Sequence, residues 1–379
     1  MATDFRAKYF TRTQSAFPDE VEILGTTYVK VEDLRYGTNP HQAASFYRPK
    51  DSSGTPFGHM EVIKTGKSGL SETNYGDLNH GANIVKYFDR PACAVMKHLN
   101  PSGAAAELTP ASCAERSEPA SPRSVYVRAR DADPVAAFGG TVVFNTKVDS
   151  ATAKEIMTSV VEVVAAPDFE PEALEILSDY ETYKMNKEIR LIRLPNLMSL
   201  PKWVGEPAAP TIKVLSDGSL IIAEPLLTRI RSGDDLVIAS TDHPKRGRLV
   251  VRKAPTENEI RDLLFSWYVN LSVRSNGVVI AKNGVTLAVG TGQQDRVAAV
   301  RQAIAKAREK FKGSETLEGS VLSSDAFFPF RDSVDACAEA GITAIVQPGG
   351  SVRDWESIEA CNEHGISMVF TGERCFSHH

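Results

Sequence analysis

The apolar positions of this chain fall into short unbroken runs separated by stretches of helical spacing. Ala92-Cys93-Ala94-Val95-Met96 is one run of strand length, ending at Lys97-His98, and Thr141-Val142-Val143-Phe144 is another. Runs without polar alternation suit strands covered on both faces. The spacing predicts a helix over 77–88, with Leu78, Ala82, Val85 and Tyr87-Phe88 on one face. A second helix is capped near Asp149 or Ser150 and runs through Ala153, Ile156 and Val160. Further on, Thr256 and Glu259 have the spacing of a capping box and open a helix through Ile260, Leu263, Leu264 and Trp267. After it the pattern predicts a strand over 277–281, a helix over 293–311 and a strand near Val321. A helix from Asp332, a strand over 343–346, a helix from Trp355 and a strand over 367–370 complete the run.

Strands that alternate with helices in this way predict an α/β fold with a largely internal sheet. The first half repeats the alternation more loosely. From Leu191 to Val251 the pattern weakens into short apolar pieces between prolines and glycines, as in a connecting sheet or linker. The stretch between Glu107 and Arg123 is rich in Pro, Ser, Thr and Glu and reads as a surface insertion. The expected organisation is therefore two related α/β halves, 1–190 and 256–379, joined by a connecting segment at 191–255.

Composition narrows the function without identifying it. The chain has 379 residues, 42% hydrophobic and 24% charged, with 43 Lys and Arg against 48 Asp and Glu. A net charge of -5 argues against binding of nucleic acid polymers, while leaving room for a few cations around a small anion. No apolar run reaches the roughly 18 residues of a membrane span. The N-terminal Met1-Ala2-Thr3-Asp4-Phe5-Arg6 is charged and lacks a signal-peptide core. Five scattered cysteines (Cys93, Cys113, Cys337, Cys361 and Cys375) without CxxC spacing suit reduced thiols, so a cytoplasmic location is expected.

Several polar clusters stand where strands should end, a common place for α/β active sites. Lys97-His98-Leu99-Asn100-Pro101-Ser102-Gly103 joins a cation to an imidazole, a pairing that suits a charge stabiliser and a base, or simply a strand-terminal turn. In Arg35-Tyr36-Gly37-Thr38-Asn39-Pro40-His41-Gln42, the arginine could grip a phosphate or carboxylate and the tyrosine could stack, or the whole could be an irregular turn. Ser275-Asn276-Gly277 offers an amide for recognition, or a turn former. Ser323-Ser324-Asp325-Ala326-Phe327-Phe328-Pro329-Phe330-Arg331-Asp332 concentrates aromatics beside charges; Asp332 could cap the next helix and the phenylalanines could be core. Gln347-Pro348-Gly349-Gly350-Ser351 lies between a strand and a helix, where backbone N–H groups could hold an anion. The P-loop, the dinucleotide fingerprint, the zinc motifs and the GxSxG elbow are all missing from the sequence.

Taken in order, these clusters resemble the AICAR transformylase domain of the bifunctional purine-biosynthesis enzymes. Ala137-Phe138-Gly139-Gly140, Gly292-Gln293-Gln294 with Arg296, and Arg374 with Phe376 extend the match over nearly the whole chain. The resemblance implies formyl transfer from 10-formyltetrahydrofolate to the 5-amino group of AICAR. It implies His98 as general base, Lys97 as electrostatic stabiliser and Asn276 as the residue that aligns the reacting groups. Arg35, Tyr36, Gly139, Glu162, Phe327 and Arg374 would match positions that bind AICAR. Arg296, Asp332, Ser351 and Val352 would match positions that bind the folate. The implied fold is a duplicated cytidine-deaminase-like α/β/α domain without the deaminase zinc ligands, in a homodimer. Some relatives carry a structural potassium ion near the Ser275-Asn276 segment, so K+ stays open here, and no other metal is expected. Only 34 residues precede Arg35, so no IMP cyclohydrolase activity is expected of this chain and a separate IMP cyclohydrolase is expected in the pathway. The alternatives are a formyltransferase for a related amino-imidazole nucleotide and a catalytically silent nucleotide-binding paralogue.

Overall fold

The structure, a computed structural model, describes residues 15–52, 54–66, 68–108, 120–311 and 317–378. It divides into two compact units, Met1–Leu200 and Pro201–His379. The fold is mixed α/β.

The first unit opens with an antiparallel meander of β1 (Glu20–Ile23), β2 (Thr26–Asp33) and β3 (Ser45–Pro49). Its main sheet is then built from β4 (Glu61–Lys64), α1 (Glu72–Val85), β5 (Ala92–Lys97), β6 (Asn100–Ala106), α2 (Pro122–Asp131) and the short α3 (Pro134–Ala137). It finishes with β7 (Gly140–Phe144), α4 (Ser150–Ile156), β8 (Val161–Ala166), α5 (Pro171–Ser178) and β9 (Arg190–Arg193). The strands lie in the order β6-β5-β7-β8-β9-β4. The β5–β6 and β5–β7 pairs are antiparallel, β7–β8 and β8–β9 are parallel, and β4 closes the edge antiparallel to β9. β5 and β7 are buried along almost their whole length, as expected of runs covered on both faces. α2 rests on β6 so closely that a Cβ at Gly103 would stand 2.1 Å from the Ala129 carbonyl oxygen.

The second unit begins with an antiparallel hairpin, β10 (Thr211–Val214) and β11 (Leu220–Ala223), exposed along both strands. The strand β12 (Val237–Ile238) and a second hairpin, β13 (Ser240–His243) and β14 (Gly247–Val250), follow. Next come α6 (Glu257–Asn270), β15 (Val278–Lys282), β16 (Val285–Gly290), α7 (Arg296–Lys310) and β17 (Val321–Ser324). The chain ends through α8 (Asp332–Glu339), β18 (Ala344–Gln347), α9 (Asp354–His364) and β19 (Ser367–Phe370). The strand order is β16-β15-β17-β18-β19-β12. Two antiparallel pairs, two parallel pairs and an antiparallel edge recur in the same sequence as in the first unit. Each sheet is thus made by an edge strand, a helix, a hairpin and three helix–strand steps. Val278, Ile280, Leu322, Phe328, Ile345 and Met368 form part of the second core with the inner faces of α7, α8 and α9.

Several sequence expectations are corrected. The helix expected over 77–88 spans Glu72–Val85 and starts at a capping box of Ser71 and Asn74. The helix expected to pass through Val160 stops at Ile156, because Val161–Ala166 is needed as a central buried strand. The expected insertion lies largely outside the described residues, at 109–119, and its end is already helical, with Ser121 capping α2. The segment 191–255 starts inside β9, and Val237–Ile238 within it forms the edge of the second sheet.

Candidate active site

In the first unit β5 ends at Lys97 and turns straight into β6, with Lys97 paired to Asn100. The two residues between them, His98 and Leu99, have φ of 54° and 65°. A two-residue hairpin loop demands this left-handed backbone, which glycine or asparagine normally supplies. The half-buried Lys97 donates through Nζ to the Gly139 carbonyl at 2.7 Å. Gly139 itself has a φ of +65°, and a Cβ there would stand 3.3 Å from that ammonium. His98 is exposed. The Leu99 N–H donates to Asp77 Oδ1 of α1 at 2.7 Å. Asp77 is 4% exposed, and burial pushes its carboxyl up to about 6, against the lowering effect of the Leu99 N–H and Lys97.

Arg35 is 6% exposed and lies over the Tyr36 ring, 4.7 Å from its centroid. Its Nη2 reaches Glu162 Oε1 of β8 at 3.3 Å, and Arg190 Nη1 of β9 reaches the same oxygen at 3.3 Å. Arg190 is 3% exposed and is anchored by Nε to the Gly69 carbonyl at 2.6 Å. Burial and then the neighbouring Arg35 charge push the Arg190 guanidinium below its usual range. Two guanidiniums share one carboxylate oxygen, and Arg35 Nε is buried without a hydrogen-bond partner. That unpartnered buried donor suits an anionic ligand.

The second unit gathers a different set. Asn276 follows Ser275 just before β15. Its Nδ2 donates to the Gln293 carbonyl at 2.8 Å and its Oδ1 accepts from Arg296 Nη2 at 2.7 Å. Arg296, the first residue of α7, is 6% exposed and also pairs with the fully buried Asp325. Asp325 accepts the Gly277 N–H at 2.8 Å, and its carbonyl takes the Cys375 N–H at 3.1 Å, tying in the C-terminal segment. Arg374 there is exposed and lies 5.0 Å from the Phe376 ring centroid. Of the aromatic motif, Phe328 is core, Phe327 is half-buried and Phe330 is exposed under Arg353. Asp332 is the first residue of α8 and provides no cap; it borders a surface groove with Arg301, Arg308 and Asp335. Ser351 is half-buried, its Oγ accepting from the Arg353 N–H, and Val352 is 95% exposed.

The anion cradle expected at 347–351 is not free. The Gly349 N–H donates to Gln347 Oε1 and the Gly350 N–H to Asp354 Oδ2, both at 2.8 Å. Among the described residues no group of three or more His, Cys, Asp and Glu side chains could hold a metal ion. Within the first unit the structure therefore brings Lys97, His98 and Gly139 into one cluster and Arg35, Tyr36 and Glu162 into another. Within the second it groups Asn276, Arg296 and the segment carrying Arg374. Sequence reasoning passed over Asp77, Arg190 and Asp325 as supporting residues. The available signal was a charge inside an apolar pattern: Asp77 shares a helix face with Gly81 and Ile84, and Arg190 opens a buried strand.

The sequence profile of the AICARFT/IMPCHase bienzyme family matches residues 4–306. The chain belongs to that family. The bifunctional purine biosynthesis protein PurH of Clostridium perfringens (strain SM101 / Type A) is 42% identical over 357 residues, 94% of this chain and 61% of the relative. PurH of Persephonella marina is 40% identical over 363 residues, 96% of this chain and 62% of the relative. PurH of Xanthomonas campestris pv. campestris (strain 8004) is 39% identical over 376 residues, 97% of this chain and 61% of the relative. The chain spans about three fifths of the length of these curated relatives. Among solved structures, a Thermotoga maritima diaminohydroxyphosphoribosylaminopyrimidine deaminase/5-amino-6-(5-phosphoribosylamino)uracil reductase is 26% identical. That likeness covers 26% of this chain and 31% of the other at a TM-score of 0.20, too slight to carry an argument. Among the described residues of this family member, no helix is long and apolar enough to cross a membrane.

Proposed function

We propose that this chain transfers the formyl group of 10-formyltetrahydrofolate to the 5-amino group of AICAR, releasing formyl-AICAR and tetrahydrofolate on the way to IMP. The observation that carries the reading is the Lys97–His98 turn. It sets an exposed imidazole beside a cation that is itself tethered to Gly139. The acceptor amine is a poor nucleophile, because its lone pair is delocalised into the imidazole and carboxamide. Attack therefore needs a base to remove the amine proton, and the formyl oxygen needs a cation as negative charge grows on it. His98 takes the first role and Lys97 the second. Asn276 aligns amine and formyl carbon, a positioning role of large kinetic value. Membership of the AICARFT/IMPCHase family supports the substrate pair.

The nucleotide is assigned to Arg35, Tyr36, Gly139, Glu162, Phe327 and Arg374. The buried Arg35 Nε, which has no hydrogen-bond partner, supports an anionic substrate. The folate is assigned to Asp332, Ser351 and Val352. Arg296 is assigned to the folate as well, held in place by Asp325 and the Asn276 amide. The repeated strand order of the two units supports the duplicated cytidine-deaminase-like three-layer reading. Ile212, Val214, Leu220, Ile221 and Ile222 on the exposed hairpin support a homodimer, which sedimentation velocity tests. All residues given roles here serve formyl transfer, so assaying IMP alongside formyl-AICAR separates that step from ring closure.

The testing experiment incubates purified protein with AICAR and 10-formyltetrahydrofolate and follows tetrahydrofolate release. Turnover is expected; none at micromolar enzyme would overturn the reading.

A further inference from the structure

We infer that Asp77 is a positioning residue for formyl transfer, holding the Lys97–His98 turn through the Leu99 N–H; this rests on the function proposed above. The turn needs holding. His98 and Leu99 stand consecutively in the left-handed region, which histidine tolerates better than the bulky leucine does. Among the described residues no hydrogen bond fixes the His98 ring, so the backbone of the turn alone sets where its Cα–Cβ bond points and which space the imidazole can sweep.

Two neighbouring residues of α1 seize Leu99 from opposite sides of its chemistry. Asp77 Oδ1 takes its N–H at 2.7 Å. Gly76 lies against its side chain so tightly that a Cβ there would stand 2.3 Å from Leu99 Cδ2. The Asp77 carboxyl also faces the Lys97 ammonium, the Thr141 hydroxyl on β7 and, unfavourably, the Glu162 carboxylate on β8. One buried acid thus contacts the backbone that aims the base and attracts the cation beside it. Removing Asp77 leaves the Leu99 N–H unpaired next to a backbone that prefers to relax, and both catalytic side chains move with it.

The test compares wild type, Asp77→Ala and Asp77→Asn in steady-state formyl transfer and in amide hydrogen exchange at 97–100. Asp77→Ala is expected to lose at least about tenfold in kcat, the scale of a lost hydrogen bond to a charged group. Its KM for AICAR should stay within about threefold, since the loss falls on the transition state. Asp77→Asn keeps an oxygen for the Leu99 N–H and should retain most of kcat. Exchange at the Leu99 amide should rise in Asp77→Ala and fall back in Asp77→Asn. An Asp77→Ala enzyme with unchanged kcat, or an Asp77→Asn enzyme as slow as Asp77→Ala, overturns the inference. If wild type shows no turnover, the proposed function fails, while exchange at Leu99 still decides whether Asp77 holds the turn.

Discussion

The pair of Arg296 and Asp325 gives a demanding test of the second unit. Asp325 is fully buried and Arg296 is 6% exposed, so neither charge has water to fall back on. The guanidinium also reaches the Gly277 carbonyl and Asn276 Oδ1. Arg296→Met leaves the Asp325 carboxylate with the Gly277 N–H but no counter-charge. Breaking a buried pair from one side costs about 3–5 kcal/mol. For a body the size of the second unit that lowers Tm by about 6–20 °C. Asp325→Asn should cost less, because the amide oxygen can still accept from Gly277 while the guanidinium loses its counter-charge. The double substitution should fall short of the sum by at least about 1 kcal/mol, as residues in direct contact do. Urea unfolding followed by tryptophan fluorescence reads this unit directly, since Trp203, Trp267 and Trp355 all lie in it. Formyl transfer should drop with the Arg296→Met substitution even at temperatures where the protein is folded, because Asn276 has lost the group that orients its amide. Single effects under about 1 kcal/mol that add within about 0.5 kcal/mol would refute the reasoning.

Other predictions follow from the first unit. Gly139→Ala puts a methyl group 3.3 Å from Lys97 Nζ at a φ of +65°, so kcat should fall about tenfold or more as the ammonium is displaced; unchanged kinetics would count against Lys97's tethered position. Gly103→Ala meets the Ala129 carbonyl oxygen at 2.1 Å and should cost about 1–3 kcal/mol in a chemical melt followed by circular dichroism. Asp77 also predicts a pH dependence. Its carboxyl is raised from 3.8 to about 6 in the folded chain, so the folded state binds that proton more tightly than the unfolded state does. The resulting stabilisation is complete below about pH 4 and is lost by about pH 6, a change of ~3 kcal/mol. Urea unfolding across that range should show wild type losing stability relative to Asp77→Asn as pH rises; a constant difference would contradict the buried carboxyl.

The parts of this fold that were legible in the sequence are those where one signal dominates. Ala92–Lys97, Gly140–Phe144 and Ser367–Phe370 are buried apolar runs, and Thr256 with Glu259 announces α6. The partner strands of the hairpins were illegible for a physical reason. β6 reads Asn-Pro-Ser-Gly-Ala-Ala-Ala, whose small residues are selected by the close approach of α2 and carry no strand propensity. The start of α1 was hidden because its capping box uses Asn74 where Glu or Gln is usual. At the site, Lys97 and His98 stood out as a motif. Asp77, Arg190 and Asp325 did not, because a lone charge reads as surface until its partner, distant in sequence, is placed beside it.

The most direct measurement of the central claim is the formyl-AICAR formed from AICAR and 10-formyltetrahydrofolate by wild type and by His98→Ala, each titrated for bound AICAR. The account predicts product from wild type, with equal AICAR binding but product reduced at least about a hundredfold in the variant, the usual scale of general base catalysis. Equal product from both proteins, or none from wild type, would contradict it.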